Sequence, residues 1–215
     1  MNKREKKQFR IVNIIREHIK SNAKEYLIVS IVFLIGIILG VMIVNNTEDV
    51  KKAEVSEYLQ NFTNALNTDY QIDSAKLLKQ SIISNLLLAL SLWFIGSTVI
   101  GIPIVYIIIG VRGLCLGYTI SSIVMTYGVF KGILFSVESL LLQNIIFIPC
   151  ILALGVSGIK LYKSIIKDKR KENIKLEIIR HTVFSAFMAL LLVGASFIET
   201  YISSNIVAMS VKIFV

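Results

Sequence analysis

The chain has 215 residues, of which 55% are hydrophobic and only 17% are charged, and its formal net charge is +9. Soluble domains carry about 25% charged residues. Here the charges gather in 1–25, 48–79 and 160–180, and the apolar runs between them are long enough to cross a bilayer, which takes about 20 residues. The composition excludes an ordinary soluble domain and predicts an all-α, polytopic membrane protein with about five membrane helices. Because the basic residues flank the apolar runs, as is usual in membrane proteins, nucleic-acid binding is not expected.

The N-terminal segment 1–25 is a basic tail with eight Lys or Arg and three Asp or Glu. Its apolar residues recur at helical spacing: Phe9, Val12, Ile15 and Ile19. This spacing indicates an amphipathic helix on an anionic membrane face, or else a basic flank that only sets orientation. The following run, 26–44, is the first predicted membrane helix. We expect it to be retained, because no signal-peptide cleavage site follows it.

Glycines spaced three or four residues apart occur in the apolar runs, and this spacing lets two helices approach closely. The spacing marks six glycines as helix-packing residues: Gly36, Gly40, Gly113, Gly117, Gly155 and Gly158. Because Gly36 and Gly40 form a GxxxG motif in the first membrane helix, a homo-oligomer through these two residues is also possible.

Residues 45–81 form the largest hydrophilic segment and are predicted to be a helical loop outside the cell membrane. Val55, Leu59, Phe62 and Leu66 lie at positions i, i+4, i+7 and i+11, which is one face of a helix. Such a face favours docking of a partner. The alternative is that it packs on the protein's own membrane helices or dips into lipid.

The run from Ile82 to Phe130 is too long for one crossing, and Arg112 is its only charged residue. A charge at the bilayer centre costs several kcal/mol. We therefore predict a cytoplasmic turn at 110–113, with Arg112 reaching lipid phosphates, between membrane helices at 82–109 and 114–130. The first of these is overlong, so Pro103 is expected to kink it. A re-entrant segment around 101–113 is the competing geometry.

The remaining predicted elements are an outer connection, two membrane helices, a basic loop and a tail. They cover 131–139 (connection), 140–161 (membrane helix containing Pro149), 162–181 (basic loop), 182–198 (membrane helix) and 199–215 (tail). With the N-terminus in the cytoplasm, the inner segments hold 17 basic residues and the outer segments six. The positive-inside rule therefore predicts a cytoplasmic N-terminus and an extracytoplasmic C-terminus.

Catalytic and metal-binding motifs are missing from the sequence. His18 and His181 lie beside basic flanks without partners at catalytic or ligand spacing, and no GxSxG, HExxH or Walker pattern occurs. We expect no enzymatic activity and no cofactor or metal. Gln143 and Asn144 are polar residues within an apolar run, and we expect them to bond across helices.

A solute or lipid transporter is the alternative function, because proline interrupts two predicted membrane helices, at Pro103 and Pro149. A polar cavity that joins Asn85, Gln143 and Asn144 to solvent would favour this alternative.

Four stretches in a fixed order carry a resemblance to a known family: YLIVSIVFLIGIILGVMIV, IGIPIVYIIIGVRGLCLG, LLLQNIIFIPCILALG and FIETYIS. With the basic tail ahead of them, they make the chain similar to the stage II sporulation protein M family over nearly its whole length. The broader superfamily often has a His-Gly pair and then a glutamate before the proline of the fourth membrane helix. Here Gln143-Asn144 and Phe147 occupy those places, which fits the sporulation branch.

The resemblance implies a non-enzymatic membrane scaffold in the cell membrane of endospore-forming bacteria. Such proteins act at the sporulation septum and the engulfing mother-cell membrane, where they recruit the peptidoglycan-degrading stage II sporulation proteins D and P. With the lipid bilayer as its surroundings, the chain is expected to contact these partners on its outer side. The expected contacts are the helical stripe Val55, Leu59, Phe62 and Leu66, together with Glu138, Glu199 and Tyr201.

Overall fold

The computed structural model describes residues 19–67, 73–98, 101–167 and 174–214, and within these ranges the chain forms helices and no strand. The elements are α1 (Ala23–Asn45), α2 (Asp49–Asn67), α3 (Ser74–Gly96), α4 (Gly101–Tyr127), α5 (Val129–Lys167), α6 (Ile174–Ile198), a π-helical segment (Glu199–Ser203) and α7 (Ser204–Phe214). The all-helical fold class predicted from the sequence is confirmed.

Five helices of the described chain are long and apolar enough to cross a membrane. They are α1, α3, α4, the part of α5 at Leu142–Ile166, and α6 with its continuation to Val207. Large apolar side chains such as Leu87, Leu90 and Ile107 are exposed on the outside of the bundle. Such exposure is costly in water and expected in lipid, so the protein is a multi-pass helical membrane protein.

The predicted turn at 110–113 is wrong, because Arg112 lies in the middle of the continuous helix α4. The same continuity excludes a re-entrant segment at 101–113. The chain turns instead after Gly96, where the side chain of Ser97 donates to the Trp93 carbonyl oxygen (2.8 Å) and that of Thr98 to the Ile95 carbonyl oxygen (2.7 Å). These bonds satisfy carbonyls at the C-terminal end of α3.

Pro103 does not kink a membrane helix, since it is the third residue of α4. The amide hydrogens of the first helical turn have no partner within the helix, so a residue that lacks one is tolerated there. Pro149, in contrast, lies inside the 39-residue helix α5.

Two segments predicted as a connection and a tail are helical. Residues 131–139 belong to α5, which follows α4 after the single residue Gly128. Gly128 has a φ of +81°, a left-handed conformation that glycine adopts without strain. The described part of 199–215 forms the π-helical segment and α7, so helices replace the predicted connection and the predicted tail.

The two ends of the bundle are each marked by a contact between helices. At one end, called here the basic face, Lys163 of α5 forms an ion pair with Glu25 of α1 at 2.7 Å. At the other end, called the α2 face, the hydroxyl of Ser56 donates to that of Thr126 at 3.0 Å. Residues 1–18 of the predicted amphipathic tail and 168–173 of the predicted basic loop lie outside the described residues.

Glycines bring the backbones of α1 and α4 into direct contact. A Cβ added at Gly36 would overlap the carbonyl oxygen of Gly110, and one added at Gly40 would overlap that of Leu114. From the other side, a Cβ at Gly113 or Gly117 would overlap carbonyl oxygens of α1. The predicted homo-oligomer through Gly36 and Gly40 is therefore wrong, because the chain's own α4 covers these glycines.

A second close approach joins α3 and α5 near the basic face. A Cβ added at Gly96 would lie 2.7 Å from the Cα of Gly158, while Gly155 packs under the side chain of Ile109. Around these contacts lies one apolar core whose fully buried members come from several helices, among them Val29, Leu92, Val105, Ile109, Ile151, Leu154 and Leu192.

The glycine contact between α1 and α4 makes a prediction about stability. Gly36→Ala should lower the free energy of unfolding by about 1–3 kcal/mol, the usual cost of overpacking. The measurement is an SDS titration of the purified protein in micelles, followed by circular dichroism.

The matched control is Gly194→Ala on α6, where an added Cβ meets nothing within 4 Å. This variant should be unchanged, or more stable by up to about 1 kcal/mol, because alanine favours the helix. Equal effects of the two substitutions would contradict the packing described here.

Candidate functional site

A polar pocket opens between α3, α4, α5 and the π-helical segment. Its volume is about 340 Å³, within the range of small-ligand sites. Its polar lining residues are Gln80, Ser81, Ser84, Asn85, Arg112, Thr119, Gln143, Asn144 and Glu199. Residues 80, 81, 84 and 85 share one face of α3, and residues 112, 115 and 119 share one face of α4. The other polar lining residues come from α5 and the π-helical segment. The pocket is therefore built from polar stripes inside otherwise apolar spans.

Arg112 lies midway along the apolar helix α4 and lines this pocket. It is about 17 Å along α4 from Gly101, taking 1.5 Å per residue, so a hydrocarbon core of about 30 Å that began at Gly101 would place it near the middle. The guanidinium carbon lies 5.4 Å from the centroid of the Phe147 ring, a cation–π contact. None of the ion pairs among the described residues involves Arg112. Arg112 was predicted to lie at a cytoplasmic turn and contact lipid phosphates, but it lies within α4 and lines the pocket.

Glu199 begins the π-helical segment that interrupts the last membrane helix. Its Oε2 accepts hydrogen bonds from the hydroxyl of Ser81 on α3 and from Nε2 of Gln143 on α5 at 2.7 Å. Its carboxylate therefore lies between helices, and its predicted contact with a partner stays a prediction. Single π-helical turns are frequent at functional sites, and this one directs Glu199 at the pocket.

The amide side chains of the pocket have different partners. Nδ2 of Asn85 donates across helices to the hydroxyl of Ser196 (2.8 Å) and the carbonyl of Leu192 (3.4 Å). Gln143 also bonds across helices, to Glu199. Asn144 instead donates to the carbonyl oxygen of Leu140, one turn earlier in its own helix, at 2.8 Å. Asn85, Gln143 and Asn144 line one cavity, the arrangement that the transporter alternative requires.

The helical stripe predicted as a docking surface is largely occupied by the protein itself. Leu66 is buried with Ile123, Phe135 and Val211 of α4, α5 and α7, and Leu59 packs against the same cluster. Val55 is half-buried, so of the four stripe residues only Phe62 is exposed. The prediction that Leu59 and Leu66 contact a partner is wrong, because the alternative of packing on the protein's own helices holds for them.

Two further residues were predicted to contact a partner. Glu138 is half-buried on α5. Tyr201 is exposed in the π-helical segment, and its ring stacks on that of Phe197 with centroids 6.2 Å apart. These positions leave Tyr201 accessible at the surface of the bundle.

A second polar cluster lies near the basic face. The imidazole of His181 is buried, with Nδ1 at 2.8 Å from the hydroxyl of Ser157 and Nε2 at 3.4 Å from the carbonyl oxygen of Trp93. The indole of Trp93 donates to Thr182 at 3.2 Å. These bonds join α3, α5 and α6, so the cluster serves helix packing. In the described ranges, no three His, Cys, Asp or Glu side chains are grouped as metal ligands.

The sequence analysis does not predict that Arg112 and Glu199 line one pocket, because the single charge of Arg112 indicates a turn. The signal that could have found the pocket is the polar spacing itself, with Ser81, Ser84 and Asn85 on one helix and Arg112 and Thr119 on the next. A polar stripe at helical period inside a membrane span is typical of a face turned away from lipid.

The five spans and the polar pocket define a polytopic helical membrane protein with a ligand-sized site between its helices. Residues 29–204 match the family model described as stage II sporulation protein M. The chain belongs to this family and is thus a sporulation-related membrane protein. No curated protein and no solved structure matched the chain.

The pocket predicts a difference in reactivity between the two native thiols. Cys115 is exposed and lines the pocket, whereas Cys150 is buried in the core. A small water-soluble thiosulfonate should modify Cys115 and leave Cys150 unmodified in the folded protein, as read by mass spectrometry of peptides. Both thiols should react after denaturation in SDS. Modification of Cys150 before Cys115 would contradict the described pocket.

Proposed function

We propose that the protein is a non-enzymatic membrane scaffold of engulfment that recruits and positions the peptidoglycan-degrading stage II sporulation proteins D and P. It acts at the sporulation septum and the engulfing mother-cell membrane. Membership of the family supports a role in sporulation. The structural observation that carries the proposal is the helix α2, which is joined to one end of the bundle by hydrogen bonds and apolar packing and exposes aromatic side chains.

The attachment of α2 to the bundle uses both polar and apolar contacts. The Tyr127 hydroxyl donates to the Leu59 carbonyl oxygen at 2.9 Å, and the hydroxyls of Thr63 and Tyr127 lie 2.9 Å apart. Leu66 adds a buried apolar contact. A surface fixed in this way loses little conformational entropy when a partner binds, which favours affinity.

The free side of α2 carries the candidate contact residues. The exposed fractions are 70% for Val50, 72% for Tyr58 and 47% for Phe62. Positions 50, 54, 58 and 62 repeat every four residues, so they form one row along the helix. Tyrosine is a frequent hot-spot residue of interfaces, and a row at this spacing is how a helix is read in a groove.

The charge distribution supports an orientation in which α2 faces the cell wall. The described basic residues near the basic face are Lys20, Lys24, Lys160, Lys163, Lys167, Lys175 and Arg180. The positive-inside rule assigns this end to the cytoplasm. The α2 face is then directed to the compartment that contains the peptidoglycan.

The proposal predicts that loss of the exposed aromatic rings abolishes recruitment. Full-length tagged protein carrying Tyr58→Ser and Phe62→Ser should bring down D and P from sporulating cells at least roughly tenfold less than the unaltered protein, as expected for hot-spot residues. The measurement is quantitative mass spectrometry of the detergent-solubilised complex.

The matched control is Glu57→Ser with Gln60→Ser, two exposed polar positions on the same helix. It should recruit both enzymes normally. Normal recruitment by the aromatic variant, with equal amounts of protein in the membrane, would reject α2 as the docking surface. Leu59→Asp is unsuitable for this purpose because Leu59 packs on the bundle.

A transporter is the second candidate function, and one observation favours it: Asn85, Gln143 and Asn144 line a single cavity. The other observation that suggested a transporter, a second span broken by proline, does not hold, since Pro103 lies in the first turn of α4. If the protein transports a solute, flux into proteoliposomes should fall on Asn144→Leu and persist on the distant exposed substitution Arg180→Gln. Absence of flux in the unaltered protein would remove this candidate.

A further inference from the structure

We propose that the polar pocket and an adjoining apolar groove together bind one phospholipid with a zwitterionic headgroup, of the phosphoethanolamine type. The anionic phosphate faces Arg112, the ammonium group faces Glu199, and the acyl chains occupy the groove. This binding site is independent of the docking surface on α2.

The first observation is a pair of opposite charges that line one pocket without contacting each other. Arg112 and Glu199 both face the cavity, and no ion pair within 4.0 Å joins them or links either one to another described residue. Charges at membrane depth are costly unless they are paired. A ligand that carries both signs can satisfy both residues at once while the site stays electrically neutral.

The second observation is the free bonding capacity on each charge. Both hydrogen bonds to Glu199 from described residues end on Oε2. Oε1 therefore has an open acceptor for an ammonium group. Arg112 has a cation–π contact with the Phe147 ring and no ion pair among the described residues, so its N–H donors are available to a ligand. Guanidinium binds phosphate through paired donors in this plane.

The third observation is the apolar groove beside the pocket. Its volume is about 330 Å³, and it lies between α4 and α5. The residues that line it include Ile120, Ile133, Val137, Ile145 and Ile148. Leu116, Leu140 and Asn144 line both the groove and the polar pocket, so the two spaces are neighbours. A polar space continuous with an apolar one matches an amphiphile better than it matches a small solute.

The headgroup charge separates the possible lipids. An anionic lipid would satisfy Arg112 and place uncompensated negative charge near Glu199. A zwitterion supplies a partner to each residue. We therefore expect the protein to prefer zwitterionic over anionic lipids that have the same tails, against the usual attraction of a basic protein for anionic lipid.

The test is equilibrium binding to the full-length protein in detergent, measured by native mass spectrometry. The probes are short-chain phosphatidylethanolamine, phosphatidylglycerol with identical tails, and free O-phosphoethanolamine. The expected result is tighter binding of phosphatidylethanolamine than of either other probe. Equal or tighter binding of phosphatidylglycerol would overturn the claim that the headgroup is zwitterionic. Equal binding of free O-phosphoethanolamine would overturn the claim that the ligand is a lipid.

Variants test the named residues. Arg112→Gln and Glu199→Gln should each weaken phosphatidylethanolamine binding roughly tenfold or more, as for other truncated charge pairs. Arg112→Lys should weaken binding less than Arg112→Gln does, because the charge stays but the paired donors of the guanidinium are lost. Glu199→Gln keeps an acceptor for Ser81, so it should fold even if Arg112→Gln does not.

Two further variants separate the lipid site from general effects. Leu116→Trp should fill the groove and abolish lipid binding. Arg180→Gln removes an exposed charge that pairs with Glu177 at 2.8 Å, far from the pocket, and it should bind like the unaltered protein. Unchanged binding in Glu199→Gln and Leu116→Trp would reject the site, whether or not the protein recruits wall enzymes.

Discussion

Direct backbone contact between α1 and α4 determines how the rest of the bundle is arranged. Gly36 and Gly40 admit α4 so closely that its glycine face is fixed against α1. On a helix with 3.6 residues per turn, Arg112, Cys115 and Thr119 then lie on the opposite face. The same contact that holds two apolar helices together thus turns a polar stripe toward α3 and α5. The position of the only charge in α4 follows from glycines that never touch it.

The sequence predicted the fold class, the number of spans and the glycine spacings, because each depends on local composition. It failed at Arg112, where the cost of burying one charge favoured a turn. The side chains that make the burial tolerable, Phe147 and the polar face of α3, come from other helices, so no local pattern reports them. The true turn at Ser97 and Thr98 has two side-chain-to-backbone bonds and no charge, and is weakly marked in sequence.

The helical stripe on α2 also shows that a local pattern does not report contacts with other helices. Apolar residues at helical spacing indicate a buried face, and they do not say whether the cover is a partner or the protein itself. Here α4, α5 and α7 cover Leu59 and Leu66, which leaves Tyr58 and Phe62 for a partner. A scaffold needs such a surface but has no use for a polar cavity in its membrane part. The pocket is for this reason assigned a separate ligand.

The central claim is that α4 crosses the membrane unbroken with Arg112 inside the bilayer. Single cysteines at Ser97 and Val111, in a background with Cys115→Ser and Cys150→Ala, test it with a membrane-impermeant maleimide applied to inverted vesicles and to intact cells. Position 97 should be labelled from the cytoplasmic side, and position 111, which faces lipid, should be labelled from neither. Cytoplasmic labelling at 111 with protection at 97 would restore the turn at Arg112 and contradict this account.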